Sequence, residues 1–246
     1  PNQGLRYMFQ MMNEARLMVG MNAASTASAA YYESLGYALD RRQGRELGAR
    51  GGEMVPIVQH ADVRRMLLRQ KAIVEGSLAL LATAARYADV AEHGATEEIR
   101  ERSELLLDLL TPVAKTFPAE KGFEANTLAI QILGGYGYTS EYLPEAYMRD
   151  QKLNTLHEGT SGIQSMDLLG RKVMAKGGAS LRALAEDITA TIGRAREAGV
   201  DTGLCDAMET AVGAVGTITM ELGQRGMSGD ANGMLGHSYD YLDMFA

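Results

Sequence analysis

Tryptophan is absent from this chain, cysteine occurs once, at Cys205, and the 246 residues include only 5 prolines and 4 phenylalanines. A single cysteine excludes an intramolecular disulfide framework and a cysteine-built zinc site. Positive charge is scarce too: Lys+Arg 24 against Asp+Glu 31 leaves a net charge of -7. Affinity for a phosphate backbone rests on cationic neutralisation, so this balance argues against a nucleic-acid partner. No apolar run reaches the roughly 18–20 residues that span a bilayer, so no membrane association is expected, and no basic-then-apolar leader opens the chain. Several enzyme signatures are missing as well: there is no Gly-x-Ser-x-Gly elbow, phosphate loop or dinucleotide fingerprint. His60, His93 and His237 have no partner at metal-ligand spacing, and read as surface or packing histidines.

What is plentiful favours helix. Ala, Leu, Met, Glu and Arg lose little side-chain freedom on a helical backbone, and no stretch alternates in the manner of a strand. The expectation is a soluble, cytoplasmic, all-α protein, an up-and-down four-helix bundle followed by an additional C-terminal helical hairpin. The first helix should run from about Tyr7 to Arg41, with small residues crowded between Met18 and Ala30 where a neighbouring helix can approach closely. A flexible loop with Gly44, Gly48, Gly51 and Gly52 comes next, closed by Pro56. Val63, Met66, Leu67, Gln70, Val74, Leu78 and Leu81 mark the buried face of a second helix, N-capped by Asp62 and ended by Gly94 as a left-handed cap. A third restarts at Thr96-Glu97-Glu98, where acids suit the helix dipole. Pro112 and Pro118 should kink or interrupt it, since each removes an amide donor. The pattern resumes from Phe123 to Leu133 and stops at Gly134-Gly135-Tyr136-Gly137. Shorter helices are expected near Glu145–Gln151 and Ile163–Val173, then two more over Ser180–Ala198 and Asp206–Arg225. Beginning at Pro1 rather than a methionine, and ending in an aromatic-rich stretch, the chain reads as a segment of a longer polypeptide.

Two turns could carry chemistry. In Gln131-Ile132-Leu133-Gly134-Gly135-Tyr136-Gly137 three glycines at a helix end would let backbone approach a ligand, although a plain glycine stop has the same appearance. In His157-Glu158-Gly159-Thr160 the glutamate at the mouth of an apolar helix could act as a general base, or could be a helix-start carboxylate stabilised by the dipole.

The order of the segments narrows this. Arg41-Arg42-Gln43-Gly44-Arg45, Gln59-His60, Gln131-Ile132-Leu133-Gly134-Gly135, Met148-Arg149-Asp150 and Glu158-Gly159-Thr160-Ser161-Gly162-Ile163-Gln164 succeed one another at separations that closely resemble the C-terminal α-helical domain of the acyl-CoA dehydrogenase family. The resemblance covers about Tyr7 to Met174, and the residues past Met174 look like the extra helical region of the larger bacterial members. It implies a domain over 1–175, an additional helical region over 176–246, and N-terminal helical and β-barrel domains that this chain does not contain. It also implies FAD chemistry on an acyl-CoA thioester, with loss of hydrogen from the α and β carbons. Glu158 matches the family's proton-abstracting base. An α-CH beside a thioester is a very weak acid, so the base that takes its proton is strengthened by desolvation in an apolar, substrate-filled pocket.

The resemblance further implies that Arg41, Gln131, Gly134 and Gly135 reach the FAD of a neighbouring subunit, while Thr160 and Ser161 contact the flavin of their own. Asn13 and Arg16 stand where the family meets the CoA portion, and His157 and Gly159 flank the base. His157 occupies a position at which smaller members often have tyrosine. Ala61 and Gly162 replace glutamines that help bind FAD in those enzymes, and the arginine loop is one residue shorter and lacks their aromatic. A homodimer or homotetramer and an electron-transferring flavoprotein as acceptor are expected on the same ground. The isolated segment should be inactive, since half of the flavin contacts would be missing. Two other readings fit the same residues: a non-catalytic oligomerisation or binding module on this scaffold, and an acyl-CoA oxidase that passes electrons to oxygen.

Overall fold

The computed structural model describes residues 3–48 and 51–246, so Pro1, where the sequence reading begins its first domain, lies outside the described residues, as do Asn2, Ala49 and Arg50. The described residues are all-α. Among them no strand forms, and one isolated bridge pairs Arg42 with Pro56. The helices are α1 (Gly4–Asp40), α2 (Ala61–His93), α3 (Glu97–Leu133), α4 (Pro144–Leu153), α5 (Ser161–Asp167), α6 (Ala179–Glu197), α7 (Thr202–Met227), α8 (Ala231–Leu235) and α9 (Ser238–Phe245). None of the described helices is long and apolar enough to cross a membrane. The chain gathers into two compact units, Pro1–Ala82 with Ala114–Thr160, and Thr83–Val113 with Ser161–Ala246.

In the first unit α1, the start of α2, the end of α3 and α4 enclose a core. Ala38, Ile57, Met66, Leu67 and Ile132 form one buried cluster, with Tyr31, Leu35 and Tyr37 packed against it. A second gathers Ala27, Ile73, Val74 and Ala125. The small-residue run of α1 does what its composition suggests: Ala23, Ala24, Ala27 and Ala30 are all buried. Gly20 marks the tightest approach. A Cβ there would overlap the carbonyl oxygen of Ala114 and lie 2.9 Å from Leu81 Cδ2.

That carbonyl bears on the largest correction to the sequence reading. Pro112 and Pro118 do not interrupt α3, which runs unbroken over 37 residues. An interior proline costs about 3 kcal/mol and leaves the carbonyl four residues back without its partner. Burial outweighs that cost here, since Leu109, Leu110, Val113, Ala114 and Ala119 are all withdrawn from solvent. The carbonyl released by Pro118 belongs to Ala114, and it faces the bare backbone of Gly20. Sequence spacing records the lost donor but not the neighbour that accommodates it.

Three smaller expectations also change. Asp62 is not the N-cap of α2 but lies inside its first turn, paired with Arg65 at 2.8 Å. Gly94 does not adopt the left-handed region; a Cβ there would lie 2.6 Å from the Val90 carbonyl, so close approach is what glycine provides. The glycine loop after α1 is clamped at its base, with Gln43 N–H donating to Val55 O at 3.0 Å, Val55 N–H to Gly44 O at 3.1 Å and Ile57 N–H to Arg41 O at 2.8 Å.

In the second unit α6 and α7 form the C-terminal hairpin. It is locked by Arg196, which reaches Asp206 at 2.7 Å and Glu209 at 2.8 Å. α5 passes into a π turn over Leu168–Lys172. Two short helices beyond the hairpin, α8 and α9, had no counterpart in the sequence reading. The second is fastened by Tyr241 and Thr219, whose hydroxyls lie 2.6 Å apart.

Candidate functional site

The turn that carries Glu158 is built by a chain of side-chain to backbone ties within the first unit. α4 begins with Pro144 at its first position, where a missing N–H costs nothing. It is joined to α3 by Gln151, fully buried, whose Nε2 donates to the carbonyls of Pro118 and Ala119, each at 3.1 Å. After α4 the backbone tightens into successive turns, with Asn154 N–H to Gln151 O and Thr155 N–H to Lys152 O, both at 3.1 Å. Asn22 of α1 donates from Nδ2 to Asn154 Oδ1 at 3.0 Å and pins this segment. His157 turns back, its Nδ1 donating to Leu153 O at 2.7 Å. Glu158 then takes φ +55 and Gly159 φ +90. A left-handed backbone is uncommon for a residue with a Cβ and is held only where the surroundings fix it.

What fixes it from below is Arg16. This arginine is 6% exposed, its Nη1 donates to Asn13 Oδ1 at 3.1 Å, and its Nε makes a long bond, 3.5 Å, to the carbonyl oxygen of Glu158. Asn13, Arg16, His157, Glu158 and Gly159 are therefore brought together, with His157, Glu158 and Gly159 half-buried and Thr160 exposed. Ser161 opens α5 as a buried residue and belongs to the second unit.

Arg41, Gln131, Gly134 and Gly135 are gathered elsewhere. Arg41 terminates α1, its N–H donating to Tyr37 O and its backbone turning to ψ 118. The guanidinium lies over the Tyr136 ring, 5.6 Å from the centroid. Tyr136 in turn meets Tyr37 and Tyr142 at centroid distances of 6.5 Å and 5.6 Å. Burial chiefly holds the Tyr37 phenol above its ordinary range. α3 ends in a 3-10 turn over Gly134–Tyr138. Gly134 sits at φ +62, and a Cβ built on Gly134 or Gly135 would meet nothing within 4 Å, so this backbone faces open space. Arg41 Nε is buried without a hydrogen-bond partner. An unsatisfied guanidinium nitrogen beside an open glycine backbone is the donor set a pyrophosphate requires, so these residues fit FAD.

The two groups lie well apart along one rod. α1 is continuous from residue 4 to 40, and at 1.5 Å per residue Arg16 and Arg41 are about 37 Å apart along it. One dinucleotide does not bridge that span.

The sequence reading missed Lys115. It lies fully buried on α3, one residue past Ala114, and its Nζ has no hydrogen-bond partner. Burial pushes its ammonium down to about 8, with Glu120 and Glu158 drawing it up and Arg16 driving it further down. The available signal was a lone cation among apolar residues between two prolines, in a stretch read as broken. Among the described residues no group of His, Cys, Asp and Glu could hold a metal ion.

Comparison with known proteins gives a consistent answer. Residues 2–174 match the family model described as acyl-CoA dehydrogenase, C-terminal domain. The chain is 43% identical over 198 residues to a 3-methylmercaptopropionyl-CoA dehydrogenase of Ruegeria pomeroyi, covering 80% of this chain and 34% of that protein. It is 42% identical to a butyryl-CoA dehydrogenase of Syntrophomonas wolfei, covering 72% of this chain and 29% of the relative. It thus spans about a third of the length of these curated relatives. Among solved structures, Caenorhabditis elegans ACDH-11 in complex with C11-CoA superposes with a TM-score of 0.77 over 94% of this chain and 37% of that one; at 20% identity this likeness concerns the fold.

Proposed function

Because this chain belongs to the acyl-CoA dehydrogenase family, we propose that it forms the C-terminal helical part of a flavoenzyme that removes hydrogen from the α and β carbons of an acyl-CoA thioester. On this reading 1–175 is the family bundle and 176–246 an additional helical region. The observation that carries the proposal is Glu158, a carboxylate on a left-handed turn tied to a buried arginine.

Glu158 accepts the α proton. The ties from Asn22, Gln151 and Arg16 hold its backbone while the proton moves, so that little reorganisation is needed during the reaction. Half-burial keeps part of the solvent away, and the acyl chain excludes more when it binds. Asn13 and Arg16 face the CoA portion, and His157 and Gly159 shape the wall beside the base. When bound, FAD supplies the acceptor of the β hydride. Arg41, with its unsatisfied Nε, and the open backbone of Gly134 and Gly135 hold the pyrophosphate region of a flavin belonging to a second subunit, with Gln131 beside them. Thr160 and Ser161 meet the flavin of their own subunit. The separation of Arg16 from Arg41 along α1 supports this division, since one flavin cannot serve both positions.

The whole enzyme is then at least a homodimer, and a homotetramer satisfies the same requirement. Exposed apolar side chains along α1, among them Met11, Met18, Met21, Tyr32 and Leu39, support association. We place the enzyme in the cytoplasm, with an electron-transferring flavoprotein as its acceptor.

The test is Glu158→Gln in the whole, flavin-loaded enzyme. The variant keeps its yellow flavin and no longer bleaches it on addition of acyl-CoA. Retention of wild-type bleaching would remove Glu158 from the role of base.

A further inference from the structure

Arg41 is anchored along its backbone but held differently at its tip. Its N–H donates to Tyr37 O and its carbonyl accepts from Ile57 N–H, both at 2.8 Å, so the main chain is fixed on either side of the side chain. Neighbouring arginines commit a donor to backbone carbonyls: Arg42 Nη1 to Met54 O at 3.0 Å, and Arg45 Nε to Gly52 O at 2.9 Å. Arg69 is engaged by the Glu124 carboxylate at 2.7 Å. Arg41 instead lies with its Cζ 5.6 Å from the centroid of the Tyr136 ring, and among the described residues its buried Nε has no hydrogen-bond partner.

The difference matters chemically. A carboxylate holds a guanidinium through its in-plane N–H groups, and so occupies the donors that a pyrophosphate needs. The face of an aromatic ring attracts the charge through its quadrupole and needs no particular donor. This ring is itself fixed. Tyr37 is 6.5 Å from Tyr136 and 6.1 Å from Tyr142, and the last two are 5.6 Å apart, all between centroids, so each ring is braced by two others. The Tyr136 carbonyl accepts from Thr139, from its N–H at 3.1 Å and its Oγ1 at 2.8 Å. One residue further, Gly137 presses against the end of α3, where a Cβ would lie 2.6 Å from Ile130 O. The turn is therefore closed at Gly137 and open at Gly134 and Gly135, and Tyr136 stands between them, 46% exposed.

We propose that Tyr136 is a positioning residue for FAD: braced by Tyr37 and Tyr142, its ring holds the Arg41 guanidinium beside the open Gly134-Gly135 backbone while leaving the N–H donors for the pyrophosphate. The inference rests on the reading of Arg41 as a contact to the flavin of a second subunit. Tyr136 acts through Arg41 and through the face of its ring, so its hydroxyl has no part in the effect.

The test uses FAD, titrated into the apo form of the whole enzyme and followed by flavin fluorescence. Tyr136→Leu raises the dissociation constant about tenfold, while Tyr136→Phe, which keeps the ring, stays within about twofold of wild type. Arg41→Ala weakens binding by itself, and Tyr136→Leu added to it brings no further loss, because no guanidinium is left to hold. Equal losses from the leucine and phenylalanine variants overturn the proposal, as do losses from Tyr136→Leu and Arg41→Ala that add, since the ring would then serve structure or touch the flavin directly. Should Tyr136→Leu fail to fold, pentafluorophenylalanine at position 136 keeps a ring and removes its negative face; it raises the dissociation constant as leucine would, and a wild-type value overturns the proposal. Should Arg41→Ala bind FAD like the wild type, the reading of Arg41 fails together with this inference. Should Arg41→Ala lose flavin while Tyr136→Leu keeps the wild-type constant, the inference fails alone.

Discussion

Asn22 and Asn154, 132 residues apart in sequence, are joined by a hydrogen bond of 3.0 Å from Nδ2 to Oδ1. The bond crosses from the middle of α1 to the segment that leads into Glu158. Asn154 is fully buried and Asn22 is exposed, so the tie is made at the rim of the core, where the chain could otherwise peel away.

Asn22→Ala removes that tie and leaves Asn154 Oδ1 without its donor. The expected cost is about 1 kcal/mol of stability, seen as a lowered urea midpoint with an unchanged slope. In the whole enzyme kcat should fall further than flavin content, because the turn that carries Glu158 loosens while the residues near Arg41 are untouched.

Gly20→Ala tests the approach of α1 to α3. The added methyl would overlap the Ala114 carbonyl, a backbone atom, and overpacking of this kind costs about 1–3 kcal/mol. Equilibrium urea unfolding measures it. A fully wild-type midpoint would contradict the close contact of α1 with α3 at this point.

Arg41→Lys should lose flavin without unfolding. Lysine keeps the charge but neither stacks over Tyr136 nor presents a planar fork to a pyrophosphate. The expected result is a protein with wild-type circular dichroism and a markedly lower ratio of flavin to protein after gel filtration.

Lys115 also leaves a signature in stability. Its folded-state value of about 8 lies below the ordinary lysine value of 10.5, so between those limits the unfolded chain binds the extra proton and stability rises with pH. Below pH 8 both states carry the charge, and the penalty for burying it is present in full. The unfolding free energy of the wild type, relative to Lys115→Met, therefore increases from pH 8 towards 10, by about 2 kcal/mol. Paired urea titrations at pH 7, 8, 9 and 10 track it. A constant difference across that range would contradict the burial of a charged lysine.

The candidate site was legible where the chain writes its chemistry locally. Glu158-Gly159 and Gly134-Gly135 sit at turns that glycine makes possible, and all but one of the helices longer than five residues have a counterpart in the apolar pattern. α9 is the exception, since eight residues are too few to display a helical period that stands out. The fate of Pro112 and Pro118 was not legible, because a proline's local cost is visible in sequence whereas the burial that offsets it comes from residues distant along the chain. Lys115 was lost with them.

The sequence by itself determined an all-helical chain, the positions of its principal turns and the residue types offered there, since these arise from side-chain entropy, apolar spacing and glycine's access to left-handed backbone. Only the tertiary structure decided that α3 is unbroken, that Arg16 reaches the carbonyl of Glu158, that Arg41 stacks on Tyr136, and that Lys115 lies sealed from solvent. Those are relations between residues far apart in the chain, set by close packing and by the need to satisfy buried charge, and no local pattern encodes them.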